Sequence, residues 1–93
     1  MGDLGHPKEG IPLVERTMKT REKFVLEDPE SSEDAFDLAH AQMEAAKLYR
    51  KAGMCAAADD VIAKARPVFE RQGRKYSLAE LKRIPACAAS AGR

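Results

Sequence analysis

The sequence predicts an all-α protein, a small three- or four-helix bundle built on a central antiparallel helical hairpin. Three observations carry that expectation. Apolar residues recur at three-and-four spacing through residues 35–73, the signature of helix faces turned to a core. The stretch is divided at Gly53, a residue that can end a helix in the left-handed conformation at little steric cost. β-Branched residues are few and no alternating run is present, which argues against strands. Ninety-three residues make one domain with a modest core. Sixteen basic and 15 acidic residues leave a net charge of +1, so bulk electrostatics select no partner.

In chain order, residues 1–11 (MGDLGHPKEGI) hold three glycines, a proline and little to bury, and read as a flexible arm. The Met-Gly opening has His6 where a myristoylation signal has Ser or Thr. The first helix is expected at about 12–26, with Pro12 in its first turn. Val14, Met18 and Val25 share one side, interrupted by Arg21. Lys19, Arg21 and Lys23 alternate with Glu15, Glu22 and Glu27, the pattern of a solvated face. Glu27 to Asp37 then carries six acids and no base, with Pro29 opposing a helix through its centre. This reads as a solvated linker leading into the negative first turn of the next helix.

That second helix is expected at about 32–52. Ser31, followed three residues later by Asp34, can cap its orphan amides, and Arg50 and Lys51 suit the negative end of its dipole. Asp37, His40, Glu44, Lys47 and Lys51 form one narrow polar face, and the rest of the circumference is apolar. An apolar arc that wide buries more than one side, so this helix should lie between neighbours. The third helix is expected at about 54–72, with Ala58, Val61, Ile62, Ala65, Val68 and Phe69 as its buried stripe and Asp60–Lys64 as a surface ion pair. Pro67 either kinks it on the solvent side or ends it near Ala65. Ser77 with Glu80 forms a capping-box pattern, which places a short fourth helix at about 78–84. Residues 85–93 read as a flexible tail. The domain thus runs over 12–84, with Phe36, Met43, Leu48, Tyr49, Val61, Ile62, Val68, Phe69 and Leu81 expected in the core.

Within the hairpin, Ala46, Tyr49, Gly53, Ala58 and Ala65 fall at the spacing of small residues, tyrosine and turn glycine in a tetratricopeptide repeat. Residues 39–72 therefore resemble a single unit of that family. Gln42, Ala45 and Glu70 stand where its pattern has a bulky residue, a leucine and a closing proline. The resemblance implies a groove presenting His40, Met43, Lys47, Arg50 and Lys51, similar to the basic grooves that grip carboxylates of extended peptides, without the usual asparagines. One such unit cannot bury its own faces, and no second copy is visible.

From residue 64 onward, eight bases stand against two acids. Tyr76 to Arg83 resembles the opening of the helix-turn-helix in mercury-resistance-type regulators, but PACAASAGR follows instead of a polar recognition helix. Arg71, Arg74, Lys75, Lys82 and Arg83 are the candidates for phosphate contact, without aromatic interleaving. Cys55 and Cys87 form no CxxC and read as two idle thiols, with a bridge as the alternative. There is no Gly-rich phosphate loop, nucleophile elbow or HExxH, so neither an enzyme nor a cofactor or metal is expected. No apolar run suits a signal peptide or membrane span, and a cytoplasmic location is expected. The expected function is a small helical protein-interaction module or adaptor whose partner is an acidic peptide or surface. The alternatives are a self-assembling subunit, for example a homodimer, or an inhibitor capping a larger protein machine, and a nucleic-acid accessory protein.

Overall fold

A computed structural model describes residues 7–84, which form four α-helices: α1 (Pro7–Glu27), α2 (Ser32–Lys51), α3 (Cys55–Arg71) and α4 (Lys75–Arg83). The chain is a small all-α bundle. The α2–α3 hairpin is its centre, with α1 packed along α2 and α4 folded back along α3. The Ser31 hydroxyl accepts a hydrogen bond from the Asp34 amide at 3.1 Å, so the expected cap starts α2.

Both helices of the hairpin are closed by the same device. Gly53 (φ 79°) ends α2, its amide donating to the Arg50 carbonyl and that of Met54 to Tyr49. Gly73 (φ 65°) ends α3, its amide donating to Glu70 and that of Arg74 to Phe69. These are paired Schellman bonds, which satisfy carbonyls left over at a helix end.

The core has two clusters that meet on the hairpin. Ile11, Met18, Ala41, Ala45, Ala46, Tyr49, Ala58 and Val61 join α1 to α2 and α3. Ala39, Met43, Ala65, Phe69 and Leu81 join the hairpin to α4, with Phe36 and Leu78 at the margin. The alanines of α2 and α3 let these backbones approach, and the bulk is supplied by Met43 and Phe69, the largest fully buried side chains. Phe36 meets Phe69 edge-on at 5.9 Å between centroids. The expected stripe of α3 is buried or half-buried throughout, and α2 lies between α1 and α3 as its wide apolar arc requires.

Several boundaries differ from the sequence reading. α1 begins at Pro7, not Pro12, so residues 7–11 are helical and not part of an arm; residues 1–6 and 85–93 lie outside the described residues. The reason is tertiary. Ile11 is buried in the first cluster, and Gly10 lies so close to α2 that an added Cβ would sit 3.3 Å from Leu48 Cδ1. Arg21, the interruption in the α1 stripe, reaches Asp37 across the α1–α2 seam at 3.5 Å.

α3 runs unbroken through Pro67, excluding an end at Ala65. Pro67 and Ala63, one turn back, are both exposed, so the carbonyl that loses its donor faces water. α4 begins a turn earlier than its capping-box pattern suggests. Arg74 is the N-cap residue, without a side-chain cap bond, and the Leu78 amide donates to the Arg74 carbonyl. The Gly73 turn launches the helix directly, which leaves Ser77 inside the first turn.

Candidate functional site

Tyr49 ties the outer helix to the hairpin. Its hydroxyl donates to Glu15 Oε2 at 2.7 Å, and burial, followed by that carboxylate, pushes the phenol up to about 12. Asp60 and Lys64 make the expected pair at 3.2 Å on the solvent side of α3. At the loop end of the bundle, Gln72 Nε2 donates to the Ser32 carbonyl at 2.9 Å, and the Arg74 guanidinium lies 4.1 Å over the Phe36 ring. These contacts fix where α2 and α4 stand relative to each other.

Between them opens a cleft of about 450 Å³ lined by Lys47, Arg50 and Lys51 of α2 and by Glu80, Arg83 and Ile84 at the end of α4. Four cations face one carboxylate and one isoleucine. Lys47 Nζ is shared between Glu44 at 3.3 Å and Glu80 at 3.2 Å. Desolvation pulls its pKa down, but hydrogen bonds and charge from Glu80 and Glu44 outweigh this and hold the ammonium above its ordinary range.

Arg50 is the most enclosed of the four, its side chain only 11% exposed. Nη2 donates to Asp59 Oδ1 at 2.7 Å, while Nε and Nη1 are buried without an acceptor. Unmet donors on a buried charged group cost about 1–3 kcal/mol, and such groups call for a specific explanation. Lys51 and Arg83 make no ion pair among the described residues. The cleft therefore has an excess of N–H donors over acceptor oxygens. Chemically it suits an anionic group, its walls being the apolar stems of Lys and Arg together with Ile84.

The structure divides the expected site residues. Lys47, Arg50 and Lys51 come together, and Arg83, expected as a phosphate contact, joins them. Met43 does not: it is fully buried in the second core cluster, because α2 is covered on both sides there. His40 is exposed but lines a different cleft, of about 350 Å³ between α1 and α2, where its ring lies 6.1 Å from Phe36. Lys82 is exposed next to Arg83 but does not line the basic cleft.

Arg71, Arg74 and Lys75 sit at the opposite end of α4, which rises about 12 Å from Lys75 to Arg83. The expected basic set is thus split between two places. Glu80 and Ile84 are cleft residues the sequence reading missed. Glu80 was visible only as a helix-start signal, and no local pattern ties it to Lys47, 33 positions away.

Cys55 is disulfide-bonded and so is not the idle thiol expected from its spacing; Cys87 lies outside the described residues. Among the described residues no cluster of His, Cys, Asp or Glu could hold a metal ion, and no helix is long and apolar enough to cross a membrane. No family model matches the sequence, and neither a curated protein nor a solved structure is significantly similar to it.

Proposed function

We propose that the chain is a small non-catalytic interaction module that binds an acidic protein segment in the cleft between α2 and α4. The observation that carries this reading is the excess of donors there: Lys47, Arg50, Lys51 and Arg83 against Glu80, with two nitrogens of Arg50 lacking an acceptor. The resemblance of residues 39–72 to a tetratricopeptide repeat points the same way, through Lys47, Arg50 and Lys51. A peptide suits the cleft better than nucleic acid, since the split between Arg83 and the Arg71–Lys75 group interrupts a phosphate track. We infer that it works as an adaptor; the disulfide at Cys55 fits an oxidising compartment better than the cytoplasm expected from the sequence.

The test is titration of a fluorescent octaglutamate peptide, followed by anisotropy, against the chain and its Lys51→Glu/Arg83→Glu variant. Both positions are exposed, so helicity by circular dichroism should be retained. Binding should fall at least tenfold in the variant, and equal binding by both proteins refutes the reading. A second reading, a self-assembling subunit or a cap on a larger protein, draws on Leu13 and Leu26 of α1, which are 64% and 80% exposed. A melting temperature that rises with protein concentration would favour the self-assembling form.

A further inference from the structure

The Lys47–Glu80 contact bridges α2 and α4 across the cleft. Its geometry is that of an occupied site. Glu80 supplies the only carboxylate among the described residues that line the cleft, and it reaches Lys47 at 3.2 Å. Both partners remain partly open to solvent, 34% for Lys47 and 51% for Glu80, so the pair can exchange. α4 is also lightly held: it has nine residues, no side-chain cap bond and Leu81 as its one buried side chain.

Resting on the reading above, we infer that Glu80 is an internal competitor for the site, and that an acidic peptide binds by replacing its carboxylate on Lys47. Three features favour exchange over simple addition. An incoming carboxylate meets repulsion from Glu80 as long as Glu80 stays in the cleft. Two of the three N–H donors of Lys47 already hold Glu44 and Glu80, so an incoming carboxylate finds one donor free, and two once Glu80 leaves. The other oxygen partner of Lys47, Glu44, belongs to α2 itself and lines the cleft beside His40 rather than the basic cleft.

This asymmetry between Glu80 and Glu44 supplies the test. Each carboxylate pairs with Lys47 at nearly the same distance, 3.2 and 3.3 Å, and each substitution by glutamine removes one negative charge. Only Glu80→Gln clears the basic cleft. With the octaglutamate peptide as probe, Glu80→Gln should tighten binding about three- to tenfold, the size expected for losing an exposed pair and a nearby like charge. Glu44→Gln should change it less than twofold.

Equal gains from the two variants would mean that bulk charge alone is at work, and would overturn the competitor role. No gain from Glu80→Gln, with the wild type still sensitive to Lys51→Glu/Arg83→Glu, overturns that role and leaves the cleft assignment standing. Wild-type binding that ignores Lys51→Glu/Arg83→Glu removes the cleft assignment, and the competitor with it. An oligothymidylate of equal charge that gains as much from Glu80→Gln as the peptide does would shift the occupant to phosphates and overturn the peptide assignment.

Discussion

Replacing Tyr49 by Phe removes one hydroxyl from the α1–α2 seam and leaves the ring, so the change creates almost no cavity and isolates a single hydrogen bond. Tyr49 is 5% exposed and donates to an ionised carboxylate at 2.7 Å, a kind of bond worth about 1.5–3 kcal/mol. Glu15 is exposed and recovers water when the hydroxyl goes, which reduces the net loss to about 1 kcal/mol. In a domain of this size that lowers the melting temperature by about 4–8 °C.

The pH dependence supplies a sharper check. The phenol is pushed up to about 12 in the fold, above its ordinary value near 10, so folding favours the neutral form. Its contribution is complete below pH 10 and is lost as pH rises towards 12, a loss of about 2–3 kcal/mol in all. Phe cannot ionise and does not share that loss. Urea unfolding followed by circular dichroism should therefore show the wild type ahead at pH 7, and the two stability curves crossing between pH 10 and 12. In a Tyr76→Phe background Tyr49 is the sole tyrosine, and tyrosinate absorbance reports its titration directly. Parallel stability curves across this range, or a Tyr49→Phe variant as stable as wild type at pH 7, would refute the reasoning.

Two further predictions concern helix ends and interruptions. Ser31→Ala should cost about 1 kcal/mol in urea unfolding, because the hydroxyl accepts from the Asp34 amide, whereas Ser77→Ala should cost less than about 0.5 kcal/mol, because Arg74 and not Ser77 precedes α4. Pro67→Ala should stabilise the protein by about 1–3 kcal/mol, since it restores a helix bond at an exposed position; a lower denaturation midpoint would show that Pro67 makes a contribution its exposure does not suggest.

The hairpin was legible in the sequence because its determinants are local. Ser31 acts on an amide three residues away, Gly53 and Gly73 relieve a strain confined to one residue each, and the α3 stripe repeats within every turn. Where the sequence reading went astray, a partner distant in the chain had decided the outcome. Pro12 looked like a helix start, but burial of Ile11 and the fit of Gly10 against Leu48 carry α1 back to Pro7. Met43 fell among groove candidates in the repeat-like register, yet Phe69, Ala65 and Leu81 enclose it.

The basic cleft shows the same division most clearly. The sequence by itself determined four helices, most of the residues that face the core, and that Lys47, Arg50 and Lys51 crowd one end of α2. That Arg83 completes the charge, that Glu80 counters it, and that Arg71 and Arg74 stand apart were decided only by the tertiary structure. The physical reason is range: helix periodicity and capping act within about four residues, whereas the cleft depends on how α4 folds back after Gly73, a placement set by Leu81 against Phe69 and Met43.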